Sequence, residues 1–147
     1  MKEYHRPAIT VDIIIEREGN LLLVRRKKDP FKGLLCIPGG FVDFGEKVEI
    51  AAKREAYEET NLRVEPIAIL GVYSDPQRDP RGHTVSVSFI AKIIDGIPKA
   101  GDDADDVKWV PLDDNRLHLA FDHSRLLQDY RSWKKNNGTY WSSKLAT

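Results

Sequence analysis

The stretch from Gly39 to Leu62, GGFVDFGEKVEIAAKREAYEETNL, constrains the chain most, because it crowds glycines, a helical period and a column of carboxylates into one short run. A helix from about Lys47 to Thr60, at 100° per residue, places Val48, Ala51 and Ala52 in one sector, and Glu55, Glu58 and Glu59 prolong it. These acids stand in the relation i, i+3 and i+4, so three carboxylates converge on a small patch where their repulsion is destabilising without a cation. Oxygen ligands with no paired Cys or His favour Mg²⁺, or Mn²⁺, over Zn²⁺, and Mg²⁺ is commonly shared with substrate phosphates. Arg54, four residues before Glu58, is expected to hold a carboxylate in place through paired donors. Ahead of the helix, Pro38-Gly39-Gly40 and Gly45 let the chain turn tightly and let a glycine carbonyl approach a metal. Asn61 falls where a left-handed cap is wanted.

Taken by themselves, the three glutamates read equally well as a solvated helix face with salt bridges to lysines. The wider arrangement decides between the two. Gly40, five residues, Glu46, seven residues, then Arg54-Glu55-Ala56-Tyr57-Glu58-Glu59-Thr60-Asn61-Leu62 resembles the Nudix box, and Glu46, Arg54, Glu55, Glu58 and Glu59 all fall on its charged positions. Two positions depart from it: Ala56, where a larger aliphatic is common, and Asn61, where Gly is common. The resemblance implies an α/β (α+β) fold, an α/β/α sandwich with a mixed β-sheet and the box helix packed against it. It also implies divalent-metal-dependent hydrolysis of a nucleoside diphosphate linked to another group, with water attacking one phosphorus. By motif position, Glu58 and Glu59 are metal ligands, joined by Glu55 and the Gly39 carbonyl, with Glu46 assisting more distantly. The general base is then Glu55, Glu59 or an acid of the later run Asp102-Asp103-Ala104-Asp105-Asp106. Asp103 is preferred within that run, which reads as readily as a solvated turn.

Gly71 to His83, GVYSDPQRDPRGH, carries Arg78, Arg81 and His83 on a loop stiffened by two prolines. In isolation this is an Arg-rich surface turn or a phosphate-contacting loop. Together with Thr84-Val85-Ser86-Val87, Gly101-Asp102-Asp103-Ala104 and Leu119-Ala120-Phe121-Asp122-His123, it looks like the set found in small ADP-ribose pyrophosphatases. The resemblance implies that ADP-ribose and water give AMP and ribose 5-phosphate. Tyr73, Tyr4 and Phe44 are candidates to stack on adenine, and His123 with Asp122 is expected to start the last helix. Two other functions compete: a sanitising pyrophosphatase for oxidised nucleoside triphosphates, and a non-catalytic nucleotide sensor on the same fold. The intact acids count against the sensor.

At 147 residues the chain suits one domain, with a core from about 8 to 135 and a loose C-terminal tail from Asn136 in which Tyr140 and Trp141 could dock. Lys+Arg and Asp+Glu both number 23, a balance that argues against a nucleic-acid or membrane surface. The single Cys36 excludes an internal disulfide, and the absence of an apolar run near 18 residues or a signal-like N-terminus leads us to expect a cytoplasmic protein. Homodimers are common among enzymes of this kind, so a homodimer, with an N-terminal strand exchanged or paired across subunits, is one arrangement that analogy alone leaves open. Strands are expected at Ala8–Glu16, Leu21–Arg26, Leu35–Ile37, Arg63–Ser74, Val85–Ile94 and Val107–Val110, the fifth with one wet face. A second helix is expected to run from Asp122 or His123 to about Lys135. Ile50 and Tyr57 give the box helix a second apolar side, implying that it is covered on both.

Overall fold

The computed structural model describes residues 5–98 and 106–145. Strand β1 (Ala8–Arg17) turns through Glu18 and Gly19, both at positive φ, into β2 (Asn20–Arg25), pairing Glu16 with Leu21 and Arg17 with Asn20. Two left-handed residues in a two-residue loop match the twist of a hairpin, and Gly19 adopts that conformation without steric cost. Then come β3 (Leu35–Cys36), β4 (Gly39–Phe41), helix α1 (Val48–Thr60), β5 (Arg63–Tyr73), β6 (Thr84–Asp95), β7 (Val107–Pro111), α2 (His123–Asn136) and β8 (Tyr140–Trp141). The sheet order is β3-β2-β1-β6-β5-β8, with β4 added to β1 and β7 to β2. It is mixed: β1 runs parallel to β6 and β5 parallel to β8, and the other pairs are antiparallel.

The apolar runs of β1 and β2 follow from burial on both faces. Ile14, Leu21 and Leu23 point into a core closed by Leu126, Leu127 and Tyr130 of α2, whereas Val11, Ile13, Ile15 and Leu22 meet Ala51, Ala52 and Ala56 of α1. The sheet is thus the middle layer between two helices. Small side chains on the inner face of α1 let it lie close to the strands. Ile50 and Tyr57 stay 47% exposed, contrary to the expectation that α1 is covered on both sides, because its single covering layer is the sheet beneath it. Asn61 caps α1 at φ 64°, its N–H donating to the Tyr57 carbonyl, as its type and position predict.

Three further differences matter. Pro66 sits beside a register shift between β5 and β6, a bulge that removes the need for its missing N–H. The alternating hydroxyls of β6 do not form a wet face: Thr84, Ser86 and Ser88 are buried, and Ser86 donates to Asp12 Oδ2 at 2.6 Å. Nor is the tail loose at Tyr140 and Trp141. Tyr140 is buried against Gly71, where any Cβ would collide with the Tyr140 carbonyl, and Ser142 Oγ accepts the Ser74 and Asp75 N–H groups at 2.7 and 3.2 Å. Among the described residues, no helix is long and apolar enough to cross a membrane.

Candidate active site

The carboxylates of α1 face β4 across a cavity of about 370 Å³, with Gly39, Gly40, Glu55 and Glu59 in its wall. The run read from sequence as a glycine turn is strand β4, registered with Gly39 opposite Asp12 and Gly40 opposite Val11. The glycines are needed for closeness: a Cβ on Gly40 would collide with the Glu55 carboxyl group, and one on Gly39 with the Val11 carbonyl. Gly39 N–H donates to Glu59 Oε2 at 3.1 Å, tying the helix to the strand.

Arg54 gathers the acids around it. Its Nε and Nη2 donate to the two oxygens of Glu46 at 2.8 and 2.9 Å, Nη1 donates to Glu55 Oε1 at 2.8 Å and, at a longer 3.3 Å, to Glu58 Oε2, and Nη2 also reaches the Phe41 carbonyl at 3.0 Å. Arg54 is thus the cation bonded to the box acids, and its principal partner is Glu46 rather than Glu58. Hydrogen bonds from Arg54 and from the Asp43 N–H hold the Glu46 carboxyl down to about 2. Glu46 thus anchors the arginine.

Glu59 lies on the other side of the balance. Burial pushes its carboxyl up to about 8, against the Gly39 hydrogen bond and with the help of the Glu55 and Asp12 charges. Burial also raises Glu55, despite Arg54, with Glu58 and Asp43 adding to the rise. Glu58 has a side chain 56% exposed and reaches outward. Among the described residues, no three acidic, His or Cys side chains are closed into a metal cage. Burial disfavours a charge on both carboxyls, Arg54 beside Glu55 and Arg26 near Glu59 offset this only in part, and their all-oxygen chemistry beside open space fits a hard divalent ion that takes the place of the proton and keeps water and phosphate oxygens as its other partners. Glu55 and Glu59 line that space and could hold such an ion; Glu58, expected from the motif to join them, is not part of this cavity's wall.

The loop residues fare unequally. Arg78, 4% exposed in its side chain, is a buried strut: Nε and Nη2 grip both oxygens of Asp122 at 2.9 and 2.8 Å, and Nη1 donates to Thr84 Oγ1. His83 Nε2 lies 2.9 Å from the Ser74 carbonyl, closing the ends of its loop. Arg81 is 43% exposed in its side chain and lines the cavity, paired with buried Asp79 at 2.8 Å. Tyr73 must be withdrawn as an adenine-stacking residue: it is 0% exposed, and its hydroxyl donates to Asp129 Oδ2 at 2.8 Å within the core. Phe44 is fully exposed and absent from the cavity wall; Tyr4 and Asp103 lie outside the described residues. Asp106, the described acid of that later run, pairs with Lys27 at 2.6 Å.

Sequence reading missed the cavity floor. His123 does start α2, but its ring is also buried: Nδ1 accepts the Ile37 N–H at 2.9 Å, and Nε2 faces Asp12 Oδ1 at 3.2 Å. Burial opposes a charge on this ring and Asp12 favours one. The Ile37 amide uses the Nδ1 lone pair, which places a ring proton on Nε2, toward Asp12. Burial would raise Asp12, but His123, Ser86 and Arg78 together hold it below the usual carboxylate range. An aspartate inside the apolar run AITVDIIIE was the available signal for this network.

Comparison with known proteins agrees with this geometry. The family model described as NUDIX domain matches residues 5–130. The chain is 50% identical over 131 residues to an ADP-ribose pyrophosphatase of Methanocaldococcus jannaschii, covering 89% of this chain and 77% of that protein. Among solved structures, the NUDIX domain of Shewanella oneidensis NrtR complexed with ADP ribose superposes with a TM-score of 0.72 at 31% identity, covering 87% of this chain and 88% of that one. A bifunctional NMN adenylyltransferase/ADP ribose pyrophosphatase from Francisella tularensis, complexed with AMP and a Mn ion, matches with a TM-score of 0.70 at 26% identity. That match covers 93% of this chain and 44% of that one.

Proposed function

The chain belongs to the Nudix family, and on that premise we propose that it hydrolyses the diphosphate of ADP-ribose with Mg²⁺, giving AMP and ribose 5-phosphate. The observation that carries the reading is the pair Glu55 and Glu59, raised by burial against a glycine strand beside a cavity large enough for part of a nucleotide. A divalent ion there supplies charge neutralisation on the diphosphate and a more acidic bound water. Gly39 N–H orients Glu59, and Arg54 orients Glu55 while leaving its second oxygen unclaimed by that guanidinium. Arg81, the more exposed of the two loop arginines, lines the cavity on its Asp79 tether and is the one proposed to meet a ligand phosphate.

Glu55 or Glu59 takes the proton from the attacking water in this reading, with Glu58 and Glu59 as the principal metal ligands. Support for ADP-ribose comes from the archaeal relative's name and from the ligand of the Shewanella domain. Assembly is proposed as a homodimer, since β5 leaves Ile67, Ile69 and Val72 at least two-fifths exposed; light scattering at twice the 16.8 kDa chain mass supports it, and a monomer contradicts it. A panel of nucleotides assayed with Mg²⁺ and with Mn²⁺ tests the substrate. AMP release from ADP-ribose should exceed pyrophosphate release from 8-oxo-dGTP and other nucleoside triphosphates; the reverse order overturns the assignment, and no turnover at all favours a sensor.

A further inference from the structure

Two phenylalanines line the same cavity, and a guanidinium from the chain lies over both. The Arg81 guanidinium carbon is 5.1 Å from the Phe41 ring centroid and 5.5 Å from that of Phe121. Asp79 tethers this arginine through Nε at 3.1 Å and Nη2 at 2.8 Å. Phe121 is braced from elsewhere: Phe31 meets it edge-on at 4.9 Å, and the Arg26 guanidinium lies 4.8 Å from its centroid.

Phe41 is 43% exposed and packs against no hydrophobic cluster, while Phe121 packs with Phe31 at the edge of the small cluster of Val24, Cys36 and Ala120 and still presents a ring to the cavity. Phe121 has φ 55° and Phe31 φ 62°, a left-handed region that bulky side chains seldom adopt and that persists only where surrounding contacts enforce it. A planar guanidinium and a nucleobase compete for the same kind of aromatic surface. We propose that Phe41 and Phe121 form the stacking platform for the substrate's nucleobase, with the Arg81 guanidinium keeping that place until the base turns it outward on its Asp79 tether. The proposal deepens the reading of the ligand as a nucleoside diphosphate and rests on it.

The test compares ADP-ribose with a diphosphate that carries ribose at both ends and no base, each assayed with Mg²⁺. Asn tolerates positive φ, so Phe121→Asn removes the ring while sparing the backbone; Phe41→Leu removes the other, and Phe121→Tyr restores an aromatic face. Stacking on this platform predicts a KM for ADP-ribose raised at least about fivefold in the Asn and Leu variants. Their preference in kcat/KM for ADP-ribose over the base-free compound should fall by a similar factor, and the Tyr variant should recover it. Equal losses on both compounds, or an unaltered preference, overturn the platform. Wild-type protein that ignores ADP-ribose overturns the proposed substrate instead. The platform is then judged by AMP and ADP binding: weakening in both ring-removing variants supports it, and unchanged binding overturns it.

Discussion

Glu59 is where the electrostatics of the site is most exposed to experiment. Its folded carboxyl, pushed up to about 8 by burial, lies above an unfolded value near about 4.3, so the folded chain binds a proton more tightly. The resulting stability is fully present below the unfolded value and is lost as pH rises through about 8. In the absence of divalent ions, the melting temperature should therefore fall between about pH 5 and 8.5, and Glu59→Gln should flatten that slope. Mg²⁺ should raise the melting temperature more at pH 8 than at pH 6, because bound metal replaces the proton. A slope unaffected by Glu59→Gln would contradict the assignment. Asp12 is the second residue on which much depends: His123, Ser86 and Arg78 all turn toward it. Replacing it with Ala leaves these groups short of a buried partner, and urea unfolding should show a loss of about 3 kcal/mol.

Helix α1 could be read from sequence almost in full, because what specifies it is local: a period, a spacing of acids and Asn61 at its end. The grip of Arg54 on Glu46 was less legible, since eight residues separate them across a turn whose path the spacing does not reveal. The cavity floor was not legible at all. His123 receives the Ile37 amide across 86 positions and Ser86 reaches Asp12 across 74, contacts created by sheet order rather than by any neighbouring pattern. The same blindness made Ser86 and Ser88 look solvated, as alternation cannot distinguish water from a buried carboxylate on the polar side of a strand. Strand β8 was legible only as two aromatics, Tyr140 and Trp141, able to dock; a strand of two residues parallel to a distant partner leaves no pattern of its own. Its docking is testable through Gly71: Gly71→Ala sets a methyl group against the Tyr140 carbonyl and should detach β8, seen as faster amide exchange at Tyr140 and Trp141 than in β1. Unaltered protection of β8 would show that the strand tolerates the methyl.

For the molecule as a whole, the layered arrangement explains why one short sequence pattern suffices to locate a function. The sheet fixes Gly39 and Gly40 on one side, α1 delivers Glu55 and Glu59 on the other, and the floor network beneath them is held by α2 through His123. Both cores contribute, so the site is a property of the assembled sandwich rather than of the box alone. The central claim is that acids of α1 hold a divalent ion against a substrate diphosphate. Steady-state hydrolysis of ADP-ribose across a Mg²⁺ titration, in wild type and in Glu58→Gln and Glu59→Gln, tests it most directly. A turnover loss of at least about a hundredfold in each variant, with a higher Mg²⁺ requirement for what remains, is the predicted result; wild-type rates and an unchanged Mg²⁺ requirement in either variant would contradict it.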